Sequence, residues 1–145
     1  MQEIGTGQRV HLREGDNIIF HGLAPAYQVA SIDGNAATLQ RIDSETILQA
    51  LGRADLNRAY PKEIAVTRGK PTTIGRLQDN TVVINDTAGA TSRYHARVEL
   101  TDDGKLFYTH LSGSNKGLVE DSAQIEKAAD SDRRDQDRGP SGPAR

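Results

Sequence analysis

Thr91-Ser92-Arg93-Tyr94-His95-Ala96-Arg97 lies between two β-rich runs in the second half of the chain. On its amino-terminal side stands Ile74-Gly75-Arg76, and on its carboxy-terminal side Leu111-Ser112-Gly113-Ser114-Asn115-Lys116-Gly117. Each stretch sets a residue type suited to phosphate beside turn chemistry. An arginine offers a planar fork of donors that fits phosphate oxygens. Serine hydroxyls add short neutral donors, and an asparagine can grip a peptide backbone through both its donor and its acceptor. Carried together on neighbouring loops, these groups make a docking site for a phosphorylated residue and not a catalytic centre.

The order and spacing resemble the forkhead-associated (FHA) domain. That family carries a Gly-Arg pair, then Ser-x-x-His, then a Ser-x-Asn-Gly turn. Gly75-Arg76 matches the first element, and residues 80–85 (NTVVIN) read like the strand that follows it. Residues 92–95 match the second, and residues 110–119 align with the third, placing Asn115 on the family asparagine and Ser114 on the preceding hydroxyl. The resemblance covers roughly residues 62–120. It implies an all-β fold, an FHA-like β-sandwich, and a non-catalytic module that binds phosphothreonine in a partner protein during signalling. It also implies the roles. Arg76, Ser92 and Ser114 would hold the phosphate, and Asn115 the peptide backbone. Gly75, Arg93, His95 and Lys116 would support them, His95 by bracing its loop and Arg93 and Lys116 through their positive field.

Two departures qualify the match. Gly113 stands where the family has serine, and Lys116 where it has glycine, with Gly117 one place later. A turn that needs a positive φ at residue 116 would be strained by lysine unless it shifts by one residue. The second departure is that the family's closing strands have no counterpart after Val119.

Residues 1–60 admit two readings. Residues 12–20 (LREGDNIIF) followed by Tyr27-Gln28-Val29 match the family's closing strands, so the sandwich would be circularly permuted, or left incomplete and closed by strand exchange between two copies. Alternatively residues 8–60 form a separate small β-barrel, with a truncated sandwich in residues 61–120. In that case the chain would be a nucleic-acid-associated or scaffold protein acting through the barrel. Asp33-Gly34 predicts a hairpin under either reading. In residues 45–60 (ETILQALGRADLNRAY) the pattern suggests a strand passing into a short helix, interrupted at Gly52 and closed by Pro61. Residues 121–145 hold one large aliphatic side chain, Ile125, among charges, Gly, Pro and Ser. They read as a disordered tail, with at most a short helix over 122–129.

Composition narrows the function classes. The 145 residues are 35% hydrophobic, with no Trp and no Cys, so the expected core is lean and aliphatic and no thiolate site exists. Residues 1–60 hold five basic and seven acidic side chains, residues 61–120 eight and seven, and the remainder five and six. None is the basic stripe of a nucleic-acid binder, and a small central excess suits a local anion site. His11, His21 and His110 lack metal spacing, and no cofactor is called for. Walker-type, His-Glu-x-x-His and Gly-x-Ser-x-Gly motifs are missing, which argues against an enzyme. No stretch reads as a signal peptide or membrane span, so a cytoplasmic protein is expected.

Overall fold

The computed structural model describes residues 2–86, 88–119 and, as backbone, 124–127. Along them run β1 (Gln2–Ile4), β2 (Gln8–Leu12), β3 (Asn17–Ile19), β4 (Ala26–Ile32) and β5 (Ala36–Ile42). The helices α1 (Glu45–Leu51) and α2 (Arg53–Ala59) follow. The remainder is β6 (Glu63–Thr67), β7 (Thr72–Gly75), β8 (Val82–Val83), β9 (Ala96–Leu100), β10 (Leu106–His110), β11 (Gly117–Val119) and β12 (Gln124–Lys127).

The strands make two six-stranded sheets that share one core, a β-sandwich. One has the order β1-β11-β3-β4-β5-β6 and the other β12-β2-β10-β9-β7-β8. Alternation at the strand period of two decides which side chains meet between them. Val10 and Leu12 of β2 face inward, as do Tyr27 and Val29 of β4, Leu39 of β5, Ile64 and Val66 of β6, and Val98 and Leu100 of β9. Although aromatics are few, the core is not purely aliphatic. Phe20 stacks on Tyr27 at 5.2 Å and lies 6.2 Å from Tyr108, all three fully buried.

A separate amino-terminal barrel is not formed, and the barrel alternative is corrected here. β2 lies between β12 and β10 in one sheet, while β3 and β4 join β11 to β5 in the other. The Asp33-Gly34 hairpin does exist between β4 and β5, closed by the Asp33 carboxylate accepting from the Asn35 and Ala36 N–H groups. Its outer strand then pairs onward with β6. The physical reason is that strands 8–12 and 17–19 satisfy backbone groups that β10 and β11 would otherwise leave open at sheet edges.

Two local expectations also change. Residues 45–51 form helix α1, not a strand. Ser44 caps it by accepting from the Ile47 N–H, and Glu45 complements the dipole in the first turn. Gly52 at φ 79° separates α1 from α2. The buried Arg41 ties the pair to the sheet, donating to the Tyr60 and Leu56 carbonyls at the end of α2 and, bidentately, to Asp43. In the carboxy-terminal segment, residues 124–127 pair antiparallel with β2, Ile125 opposite Val10, where a disordered tail or short helix was expected. The partner strand supplies the hydrogen bonds that this polar segment could not obtain alone. The rest of that expected tail lies outside the described residues. No helix among the described residues is long and apolar enough to cross a membrane.

Candidate functional site

The three stretches that opened the sequence reading meet at one end of the sandwich. Arg76 follows β7, residues 91–95 lead into β9, and residues 111–116 join β10 to β11. Backbone bonds hold them together. The Arg76 N–H donates to the Ser92 carbonyl at 3.0 Å and the His95 N–H to the Ile74 carbonyl at 2.8 Å. The Leu111 and Ser112 N–H groups both donate to the His95 carbonyl. Gly75 is where this contact is tightest: a Cβ there would sit 2.2 Å from the Arg93 carbonyl oxygen and 2.7 Å from Asn80 Nδ2. Only glycine lets the loop lie that close.

Between the loops opens a cavity of about 530 Å³. Its lining includes Arg76, Ser92, Arg93, Tyr94, Ser114 and Asn115. It carries two guanidinium groups and no carboxylate, so its field favours an anion. Arg76 is exposed. Its Nε donates to the Thr91 carbonyl at 3.4 Å, and its terminal nitrogens have no partner among the described residues.

The hydroxyls are arranged differently from the sequence expectation. Ser112, buried, lies 2.6 Å from Ser92, Oγ to Oγ. Its oxygen also accepts from the Ser114 and Asn115 N–H groups, each at 3.2 Å. With both lone pairs engaged, the Ser112 hydroxyl must donate to Ser92, which leaves the Ser92 proton free to point into the cavity. Ser114 is exposed at the cavity wall. Asn115 donates from Nδ2 to the Ala90 carbonyl at 2.8 Å, tying two of the loops together. Lys116 does not line the cavity and reaches Glu3 of β1 at 3.5 Å. Gly117 lies in close approach and not at a positive φ: a Cβ would meet His110 Nδ1 at 3.1 Å and the Ile19 carbonyl at 3.2 Å, so these neighbours would have to give by a few tenths of an ångström.

Sequence reasoning missed Ser112 and the histidine relay behind the site. His95 accepts from the Ser92 N–H at Nδ1 (3.0 Å) and donates from Nε2 to the Phe20 carbonyl (2.7 Å). His110 donates from Nε2 to the Asn115 carbonyl (2.7 Å) and accepts from the Tyr108 hydroxyl at Nδ1 (2.9 Å). His21 accepts from the Leu23 N–H at Nδ1 (3.2 Å), and its Nε2 faces the Thr91 hydroxyl and Asp86 (3.1 and 3.3 Å). The rings stand in a row, with His95 5.5 Å from His21 and 5.2 Å from His110. Burial holds all three below the ordinary imidazole value, outweighing Asp86 at His21 and the backbone carbonyls at the other two. Burial would raise Asp86, but the Thr91 hydroxyl, His21 and the Gly89 and Ala90 N–H groups together hold it below the ordinary carboxylate value. The sequence signal for the relay was thin: three histidines at unrelated positions, converging only through the fold.

This arrangement is a loop cluster on a β-sandwich around a cavity whose lining holds two guanidinium groups and no carboxylate, braced from behind by three buried imidazoles. Residues 72–138 match the family model of the FHA domain. FHA domains are phosphopeptide-binding, non-catalytic protein-interaction modules. The match spans β7 to β12; β1 to β6, which complete both sheets, lie before it. No curated protein and no solved structure matches the chain.

Proposed function

We propose that this chain is a non-catalytic module that binds a phosphothreonine in a partner protein. The observation that carries the reading is an Arg76 guanidinium whose terminal nitrogens have no partner among the described residues, set beside the Ser92 hydroxyl on one cavity with no carboxylate in its lining. A phosphothreonine dianion would accept charge-assisted bonds from Arg76 and a shorter bond from Ser92, with Arg93 adding to the field. Ser114, on the cavity wall, would take a remaining oxygen, and the Asn115 side-chain oxygen would accept from a peptide N–H. The threonine preference comes from the family resemblance, through a pocket for the methyl group. We propose also that β2, β3 and β4 are the family's closing strands in circularly permuted order, since each takes a place inside a sheet that residues 72–119 alone leave open.

Losing a hydrogen bond to a charged group costs about 1.5–3 kcal/mol, so Arg76→Ala should weaken phosphopeptide binding at least about tenfold. The measurement is a titration with a phosphothreonine peptide library, unphosphorylated peptides serving as control. Equal binding by variant and wild type would discard the site.

A further inference from the structure

A second cavity, of about 330 Å³, opens between the loop after β3, the helix pair and residues 85, 86 and 88. Leu23, Ile47, Ala50, Leu51 and Ala59 make its apolar wall. Helix α1 contains no buried residue, and Leu23 is 58% exposed, so this wall lies open to a ligand. Small-molecule sites have volumes of about 300–1,000 Å³ and mostly apolar walls with a few placed polar groups. The cavity is of that kind, at the compact end.

Three ionised side chains line it. Asp55 and Arg58 pair with each other, which leaves the charge of Asp86 unanswered. The Asp86 side chain is only 7% exposed, yet no lysine or arginine among the described residues pairs with it. Its Oδ2 accepts from the Thr91 hydroxyl and lies 3.3 Å from His21 Nε2 and 3.4 Å from the Tyr60 hydroxyl. Its Oδ1 accepts from the Ala90 N–H at 3.2 Å. Burial holds His21 below the ordinary imidazole value, so all four partners are neutral donors at neutral pH. Neutral donors satisfy lone pairs but carry no counter-charge, and a buried carboxylate without one is costly. Beside an apolar wall such a charge is poorly screened, which gives the cavity a negative potential.

We infer that the second cavity binds a small aliphatic ammonium compound, its carbon chain against the α1 wall and its charge against the Asp86 carboxylate. Charge complementarity selects this occupant. An aliphatic carboxylate of the same shape would be repelled, and the matching alcohol would bury its chain without answering the charge. The site is independent of the phosphate-binding reading, since the first cavity carries guanidinium groups and no carboxylate and so attracts the opposite kind of ligand.

The test is calorimetric titration of the full chain, at neutral pH and fixed ionic strength, with isoamylamine, isoamyl alcohol and isovalerate, which share one branched carbon skeleton. The amine should bind at least about tenfold more tightly than the alcohol, and isovalerate not at all. Asp86→Asn keeps the shape and an acceptor for Thr91 but removes the charge, and should bring the amine down to the alcohol's affinity. Ala50→Phe, at an exposed residue of α1, fills the cavity and should remove binding of both, which keeps the test decisive if Asp86→Asn does not fold. Equal affinity for amine and alcohol in the wild type overturns the role of Asp86. Amine binding that persists in Ala50→Phe puts the ligand elsewhere, and no saturable amine binding refutes the site. Self-association of the chain abolished by Leu23→Ser also refutes it, giving the cavity to a second copy.

Discussion

Acidification should dismantle this site in a mild and unusual range of pH. His21, His95 and His110 are each almost wholly buried, and in each the Nδ1 atom accepts from a fixed donor while Nε2 carries the proton. A proton added to His95 would set Nδ1–H against the Ser92 N–H, and one added to His21 would set it against the Leu23 N–H. The sign follows from burial, which lowers all three from the ordinary value of 6.5. Below pH 6.5 the unfolded chain takes up protons that the folded chain refuses. The stability due to neutral rings is thus complete above 6.5 and is lost as pH falls from there toward the lowered native values. Each histidine contributes a slope of up to about 1.4 kcal/mol per pH unit. Below pH 6.5 the three histidines therefore lose stability together, each in the same direction. Asp86 works in the same direction only at lower pH, since its carboxyl is held below the ordinary 3.8.

Urea unfolding at a series of pH values, followed by circular dichroism, measures this slope. His95→Gln keeps a donor and an acceptor but does not titrate, so it should reduce the slope. Phosphopeptide affinity should fall over the same interval in wild type, beyond the change expected from the phosphate's own second ionisation near pH 6. A stability curve flat between pH 7 and about 5.5, or an unchanged slope in His95→Gln, would refute the reasoning, because linkage admits no other outcome for three buried neutral imidazoles.

Three further outcomes follow from the same contacts. Gly75→Ala forces a Cβ against the Arg93 carbonyl and should cost about 1–3 kcal/mol or more, whereas Gly34→Ala, with nothing near its Cβ, should be close to neutral; thermal melts of both compare them directly. Ser112→Ala leaves the Ser114 and Asn115 N–H groups without their acceptor and should destabilise by about 1–3 kcal/mol, while Ser92→Ala should weaken phosphopeptide binding with a smaller shift in Tm. Equal melting temperatures for the two would contradict the acceptor role assigned to Ser112. Residues 62–145 expressed alone should not fold cooperatively, since β10 loses β2 and β11 loses β1 and β3; a sharp thermal transition in that fragment would overturn the permuted reading.

What the sequence made legible was local. Asp33-Gly34 closes a hairpin through nearby side-chain and backbone bonds. Gly75-Arg76, Ser92 and Asn115 come together because their motif spacing encodes loops on adjacent strands. The helix at residues 45–51 was legible in principle: Ser44 caps it, and Ile47, Leu48 and Leu51 follow helical spacing. The short apolar run hid that pattern. Other features were not written locally. Strand partners for residues 8–32 are chosen across the whole chain, and residues 124–127 find theirs in β2 through backbone bonds, which leave no composition signal. The choice between Ser112 and Ser114 as partner of Ser92 is equally non-local, because the Ser112 carbonyl is pinned by the Thr6 hydroxyl at 2.6 Å.

That last contact is one of four that make the loops around the Arg76 cavity dependent on the amino-terminal segment. The Gly7 N–H donates to the His110 carbonyl, the Phe20 carbonyl accepts from His95, and His21 meets Thr91. Each of the three loop stretches that carry Arg76, Ser92 and Asn115 is thus bonded, directly or through one histidine, to residues 6–21, none of which lies within 72–138. Loop hydrogen bonds of this kind fix geometry more than they add stability, since each is worth only about 0.5–1.5 kcal/mol net. A phosphoryl group, however, rewards geometry: charge-assisted bonds weaken quickly as donors drift from their acceptors. Binding should therefore be more sensitive than folding to changes in residues 6–21. Thr6→Ala offers the sharpest case, removing one exposed hydroxyl far from the cavity in sequence. It should lower phosphopeptide affinity several-fold, through a displaced Ser112, while moving the urea midpoint by no more than a single hydrogen bond's worth. If affinity held constant while stability fell, the loops would be positioned by their own stretch of chain, and the dependence on the amino-terminal braces would be wrong.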